Sequence, residues 1–362
     1  MTNDDNDDDD DDADDKKEEE EEKDGGCNDD DDNDDLKTSV PCMQGPLRFL
    51  HEFKNPCWRK REMGSQQFTM RCLPYAYLAG FPKCGTTDMY SRMVMHPDIV
   101  KTAKEPHWIT RGRFSQKDTS TIDNYARGYG MHLSGVNGKR SIAVDASAST
   151  AWDNHLWFNY PGNENCSEPN VTNADYIRHL NPDVKIIMTL RNPTNRLYSG
   201  FMYFARKAAR SHTTPTTFHD FAEHTVKKFN DCLKDWSLRH CAYNATFFSP
   251  VRLPMGLYTV FIEDWFLRFP RDQILVVRLE DVSADPVGEM SKIFKFLGLA
   301  QNLTTDLRYK LMHLPAQNVG KQSQKKGPML NKTRLMLDNF YRPYNRRLAN
   351  VLGDEKYTWT DV

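Results

Sequence analysis

The sequence predicts a three-layer α/β fold, P-loop-like in its first turn, with a central parallel sheet and helices on both faces. Three observations carry that expectation. Short apolar runs without polar alternation recur along the chain, and helix-length segments separate them. The first run ends in a Gly- and Thr-containing turn that opens directly into a helical stretch. Strands covered on both faces read as continuous apolar runs, and helical crossovers return the chain to start a parallel neighbour.

The N-terminus stands outside this pattern. Residues 1–35 hold 17 Asp, 5 Glu and 3 Lys, a net charge of −19. Such a run has no apolar surface to bury and is expected to be a disordered acidic tail. Residues 36–362 carry 45 Lys and Arg against 29 Asp and Glu, or +16. A basic body calls for an anionic partner: a nucleotide, a nucleic acid, an acidic polysaccharide or a membrane surface. Residues 36–71, with Pro41, Pro46 and Pro56, read as a stem or connector, and the folded domain is expected over 72–355.

Within that domain, 74–79 (PYAYLA) is a buried-strand candidate ending at Gly80, and 86–96 reads as a helix closed by Pro97. Residues 141–146 (SIAVDA) and 183–190 (DVKIIMTL) read as further strands, the second followed by a helix over 194–209. An amphipathic helix is expected over 256–269, a strand over 273–279 (QILVVRL), and a helix from Asp285-Pro286 to Leu297. Leu330, Leu337, Tyr344 and Val351 recur every seven residues, which predicts a long helix over 329–352 with a basic outer face.

No segment approaches the roughly 18 apolar residues of a membrane span, and the acidic start does not read as a signal peptide. Asn165, Asn170, Asn244, Asn302 and Asn331 each begin an N-x-[ST] sequon, a mild sign of a secretory compartment. Cys232 and Cys241 flank a short segment in a way that suits a local disulfide, while Cys57 and Cys72 are near enough to pair.

In parallel sheets, ligands bind where a strand's carboxyl end meets a helix N-terminus. The first strand ends in Gly80-Phe81-Pro82-Lys83-Cys84-Gly85-Thr86-Thr87. Gly85 lets the backbone approach an anion, the N–H groups of Gly85, Thr86 and Thr87 would face one concavity, and Lys83 adds charge. Cys84 lies inside the loop, either as a low-pKa thiol or as a packing residue. A Walker A loop has Lys directly after its second Gly; here Lys83 precedes Gly85, and no acidic strand end suggests a Mg²⁺ ligand. The loop therefore reads as a phosphate site without a metal. A second anion site is legible at 189–199, where Arg191 ends a strand and Ser199 lies on the next helix.

Lys-x-Gly-Thr-Thr followed by Arg-x₇-Ser resembles the 5′-phosphosulfate and 3′-phosphate sites of sulfotransferases that use 3′-phosphoadenosine 5′-phosphosulfate (PAPS). Residues 80–114, 145–152 (DASASTAW) and 230–244 (NDCLKDWSLRHCAYN) are similar to the Golgi carbohydrate sulfotransferases, most of all to the N-acetylgalactosamine 4-sulfate 6-O-sulfotransferase branch. Residues 256–265, 279–281 and 338–349 (DNFYRPYNRRLA) extend the likeness, which covers roughly 55–352.

That resemblance implies a sulfotransferase fold, PAPS as co-substrate, a sulfated glycosaminoglycan as acceptor and a Golgi lumenal enzyme. Such enzymes carry an N-terminal membrane anchor, and no apolar span is legible in the residues given before this domain. It also implies that Glu105, in Lys104-Glu105-Pro106-His107, is the base that deprotonates the acceptor hydroxyl. His107 is the alternative, since a neutral imidazole is a competent base, and Lys83 would stabilise the leaving phosphate. Ser147 and Ser149 are expected either to touch acceptor or donor, or to cap a helix. Arg111 and Arg113, just past Glu105, are candidates to hold a sulfate already on the sugar, with Lys325 and Lys326 in the basic segment 317–329.

Competing readings remain at this point. A P-loop kinase shares the loop but not the position of the Lys, and other glycosaminoglycan O-sulfotransferases, uronyl or heparan, share the motifs. A non-catalytic glycosaminoglycan-binding module fits the charge alone, and nucleic-acid binding has charge in its favour but no motif.

Overall fold

Two short strands open the folded part of the computed structural model, β1 (Cys57–Arg61) and β2 (Phe68–Cys72), paired antiparallel with Cys57 opposite Cys72. The structure describes residues 48–360 apart from 63, 116–119, 136, 208–212, 301–302 and 316–326. The acidic run, Lys325 and Lys326 therefore lie outside the described residues. The apolar runs follow as β3 (Ala76–Gly80), β4 (Ile99–Val100), β5 (Ile142–Asp145), β6 (Lys185–Leu190) and β7 (Ile274–Arg278). They form one sheet in the order β4-β5-β3-β6-β7, with every pairing parallel.

The helices, in chain order, are α1 (Thr86–Met93), α2 (Ile122–Leu133), α3 (Asn173–Leu180), α4 (Pro193–Lys207), α5 (Pro215–Asp235) and α6 (Leu238–Tyr243). They continue with α7 (Tyr258–Arg268), α8 (Leu279–Ala284), α9 (Pro286–Phe296), α10 (Thr305–His313) and α11 (Asn331–Leu352). Side chains on successive strand positions point to opposite faces, and here they feed two cores. Ala76, Leu78, Val144 and Ile187 meet Met89 and Met93 of α1, Phe294 of α9 and Leu311 of α10. Tyr77, Ala79, Ile186 and Met188 meet Leu197 and Phe201 of α4, Phe218 of α5, Phe261 of α7 and Tyr341 of α11. Two cores with a sheet between them make the three layers.

From β3 the chain crosses to β4 and β5 on one side of the sheet and later to β6 and β7 on the other. Such a switch point leaves a crevice at the carboxyl end of the central strand, where crossovers depart in both directions.

The structure corrects two expectations and adds a helix. The stem reading fails for its second half: the β1–β2 hairpin spans Cys57–Cys72, and Cys57 is fully buried with Phe49, Phe53, Trp58 and Met70 packed on the core. Buried Arg71 pairs with Glu62 and with Asp123 of α2, so the hairpin is tied to the body by charge as well. Second, α5 is a full helix opened by a Thr214 capping box and Pro215, a start signal that the sequence reading passed over. Third, α11 buries only Leu337 of its heptad series. Its inward stripe is Thr333, Leu337, Tyr341, Asn345 and Leu348, spaced by four and three, because an α-helix turns a 3.6-residue face to the core. No helix among the described residues is long and apolar enough to cross a membrane.

Cys57 is joined to Cys72 and Cys232 to Cys241, at sequence separations of 15 and 9. Closing such short loops restricts the unfolded chain and stabilises the fold by roughly 3 kcal/mol each on a chain-entropy account. Non-reducing peptide mapping should recover both linked pairs, and replacing Cys57 and Cys72 together by Ala should lower the melting temperature by several degrees. Unchanged melting would mean the hairpin is held by its ion pairs and packing alone.

Candidate active site

The turn from β3 into α1 begins with Phe81, whose amide donates to the Thr189 carbonyl of β6 at 2.8 Å. That bond pins the turn to the neighbouring strand. Lys83 and then Gly85 adopt left-handed φ values of 68° and 80°. Gly85 is the N-cap of α1 and no side chain caps the helix, so its first N–H groups face outward toward the crevice. A β-carbon on Gly85 would stand 2.5 Å from Leu279 Cδ1 of α8, so another residue there would displace the Leu279 side chain as well as strain the backbone. The Lys83 ammonium lies 4.1 Å from the centre of the Tyr203 ring.

On the second strand–helix unit, Asn192 caps α4 by accepting from the Asn195 amide at 3.0 Å. Arg191 Nη1 donates to the Lys83 carbonyl at 3.4 Å, and the Arg191 carbonyl accepts from the Tyr258 hydroxyl at 2.8 Å. The two predicted anion sites are thus adjoining walls of one crevice.

The third wall is the segment after β4. Glu105 and His107 both have left-handed φ, 60° and 52°. Non-glycine residues in this region cost about 1–3 kcal/mol and persist only when their surroundings hold them. The hold is visible. The His107 amide donates to Ser147 Oγ at 2.9 Å, and the Ser147 amide donates to Asp145 Oδ1 at 2.9 Å. Buried Asp145 also accepts from the Tyr125 and Tyr129 hydroxyls of α2. The His107 ring sets Nδ1 2.7 Å from Ser149 Oγ and Nε2 3.6 Å from Glu105 Oε2. Lys104 pairs with the other Glu105 oxygen. The His107 ring facing it, opposed by burial and joined by Lys104, holds the Glu105 carboxyl down to about 2. At neutral pH it is fully ionised.

Lys83, Gly85, Thr86, Thr87, Glu105, His107, Arg111, Ser149, Arg191 and Ser199 line a single cleft of about 1240 Å³. Other candidates fall elsewhere. The Cys84 thiol turns under the loop, 3.4 Å from the Tyr258 hydroxyl, and burial pushes it up to about 11. It is a packing residue, and only its backbone borders the loop. Ser147 is buried behind the wall and acts through the His107 amide. Arg113 faces a separate pocket, with its guanidinium over the Tyr176, Phe114 and Tyr160 rings at 3.9, 4.4 and 4.5 Å. Two residues along a tight 3-10 turn send side chains in different directions, so Arg111 reaches the cleft and Arg113 does not. Arg111 is itself paired with buried Asp153, at 2.6 Å.

The sequence reading missed Asn195, Tyr198, Tyr203 and Arg252, which also line the cleft. The first three follow Arg191 on one face of α4, at spacings that a helical reading of that segment makes legible. Arg252 comes from the segment before α7, stacked 3.7 Å from the Phe204 ring centre, and no local pattern marks it.

The sequence matches the sulfotransferase domain family over residues 74–347. It is 37% identical over 318 residues to carbohydrate sulfotransferase 15 of Homo sapiens, covering 81% of this chain and 56% of that protein. It is 26% identical over 314 residues to the bifunctional heparan sulfate N-deacetylase/N-sulfotransferase 3 of Homo sapiens, covering 83% and 32%. The chain therefore spans about half the length, or less, of these curated relatives. A crystal structure of a sulfotransferase from Alicyclobacillus acidocaldarius shares the fold, with a TM-score of 0.50 at 21% identity over 78% of this chain and 96% of that one. With a five-stranded parallel sheet and a family match that spans all of its strands, the chain belongs to the sulfotransferase domain family.

Proposed function

We propose that this chain transfers a sulfuryl group from PAPS to a hydroxyl of a glycosaminoglycan, the 6-hydroxyl of N-acetylgalactosamine 4-sulfate in chondroitin or dermatan sulfate. One observation carries the reading: a glycine-built anion loop, an Arg–Ser pair and an ionised carboxylate beside an imidazole share one cleft at the carboxyl ends of β3 and β6. The donor fits that cleft chemically. The uncapped α1 N-terminus with Lys83, Thr86 and Thr87 suits the 5′-phosphosulfate, and Arg191 with Ser199 suits the 3′-phosphate. The acceptor class is supported by the likeness to carbohydrate sulfotransferase 15. The disulfides fit an oxidising compartment such as the Golgi lumen.

In the transfer, the acceptor oxygen attacks sulfur in line and forms the new S–O bond as the bond from sulfur to the bridging phosphate oxygen breaks. Glu105 takes the hydroxyl proton, and His107 is placed to share it through Nε2. The bridging oxygen keeps the electron pair and leaves on adenosine 3′,5′-bisphosphate, its charge met by Lys83 and the helix N–H groups. A carboxylate held near pKa 2 accepts a proton from a free alcohol reluctantly, so the proton moves as the S–O bond forms and acidifies the hydroxyl.

Radiolabelled PAPS offered with desulfated and sulfated glycosaminoglycans tests the assignment directly, and no transfer to any of them would reject it. Lys83→Ala should lower kcat by about 10² or more. Arg191→Ala should weaken 3′-phosphorylated nucleotides far more than their 3′-dephospho analogues, and equal losses would remove Arg191 from the 3′-phosphate site. Turnover should persist in EDTA, which separates the reading from a Mg²⁺-dependent kinase.

Glu105→Gln should reduce kcat by on the order of 10²–10⁴ with donor affinity unchanged. The carboxylate is depressed, so its ionised form persists until pH falls through the lowered value. Wild-type kcat/KM should show no Glu105 limb above about pH 4, whereas Lys104→Met should bring one up toward the ordinary carboxylate range near 4.3. An active Glu105→Gln with an inactive His107→Ala would pass the base to His107.

For the acceptor, 4-sulfated chondroitin should be used better than unsulfated chondroitin, with a KM that rises with salt, since exposed charges are screened over about 8 Å at physiological ionic strength. Arg252→Ala should raise that KM by about fivefold, the upper range for one partly solvated charge pair. Arg113→Ala should leave it unchanged and lower the melting temperature. The reverse pattern would return Arg113 to the acceptor.

A further inference from the structure

Arg196, on α4, is the most deeply buried cation near the cleft, and its surroundings do not neutralise it. The side chain is fully buried. Nη2 donates to the Arg252 carbonyl at 2.8 Å, Nη1 meets the Met255 sulfur at 3.3 Å, and among the described residues Nε has no hydrogen-bond partner. Among the described residues no carboxylate forms an ion pair with it. Glu280 has a buried oxygen to spare, but its other oxygen accepts from the Asn192 amide and it makes no ion pair with Arg196. Beside the guanidinium sits Tyr341, whose buried hydroxyl stays neutral and donates to the Leu253 carbonyl. Guanidinium stays charged in any protein environment, and burying it without an anion is expensive.

The charge lies directly beneath the donor site. Gly200, one turn further along α4, separates it from the loop: a β-carbon there would be 3.9 Å from Arg196 Nη1 and 4.0 Å from Lys83 Cγ. Arg191, Asn195, Tyr198 and Ser199, from the same strand–helix unit, line the cleft above. Burial of Arg252, which also lines it, disfavours its charged form, and the like charges of Arg111 and Arg196 add to that.

We propose that Arg196 is a positioning residue whose missing counter-charge is the anionic nucleotide itself. In the unliganded protein the buried guanidinium is an uncompensated cost. When a bisphosphorylated nucleotide occupies the loop, its charge offsets that cost through the low-dielectric floor without touching Arg196. The residue then favours donor and bisphosphate product according to their charge. This inference rests on the sulfotransferase reading above.

The full chain is compared with Arg196→Gln, which keeps amide donors and removes the charge, and with Arg196→Lys, which keeps the charge. Calorimetry with adenosine 3′,5′-bisphosphate and with adenosine 5′-monophosphate gives the affinities, and melting of unliganded protein gives stability. R196Q should bind the bisphosphate about tenfold more weakly and the monophosphate about threefold more weakly, the loss following ligand charge. Its unliganded melting temperature should equal or exceed that of wild type, and R196K should bind the bisphosphate within about twofold of wild type. Unchanged bisphosphate affinity in R196Q, equal losses for both nucleotides, or a chain that no longer folds would each overturn the proposal. A wild-type protein that binds no bisphosphate would instead reject the function on which it rests.

Discussion

Gly85 meets the side chain of Leu279 with no room for a β-carbon, and the rest of the active cleft is arranged around that close approach. The left-handed turn it permits leaves the N-terminus of α1 open, between β5 on one side and β6 on the other. Any other residue there would be strained at φ 80° and would oblige the Leu279 side chain to shift. The Phe81 amide bond to Thr189 fixes the same turn from the β6 side. Loop position and strand order are therefore one constraint, and Arg191, which ends β6, inherits its place from it.

Charge is distributed unevenly across the cleft. Arg92 is answered by Asp88, Lys104 by Glu105 and Arg111 by Asp153. Arg252 stacks on Phe204, and among the described residues Arg196 below has no carboxylate partner. The answered cations border the acceptor wall and the helix behind the loop, while Arg196 underlies the donor wall. Under the proposed function, binding a polyanionic nucleotide and releasing it as a bisphosphate would gain from such a field at the expense of stability in the unliganded fold.

The acceptor wall shows the opposite strategy. Glu105 and His107 sit in strained backbone, yet every link behind them is satisfied: Ser147 to Asp145, Asp145 to Tyr125 and Tyr129, Ser149 to Thr110. A polar network with all its members paired holds a geometry that an apolar packing would let relax. The strain thus resides in two residues, and the support comes from a helix, α2, and a strand, β5.

Much of this was legible in the chain itself. Continuous apolar runs at 74–79, 183–190 and 273–279 fall in β3, β6 and β7 within one or two residues, because strands covered on both faces admit no polar alternation. Lys83, Gly85, Thr86 and Thr87 share one turn, and Arg191 with Ser199 one strand–helix step, so local spacing alone marked them. Tertiary structure decided what spacing does not encode. Arg111 and Arg113 differ by two positions, yet one faces the cleft and the other an aromatic pocket, a choice set by Asp153 and by the rings of Tyr160 and Tyr176. Cys84 sits within the loop motif and turns its thiol into the core under Tyr258. Arg252 and Arg196 meet only because the segment before α7 folds back on α4, 56 positions apart in the chain. Local sequence sets which backbone conformations are affordable, whereas the direction of a side chain and the company a charge keeps depend on contacts between distant segments.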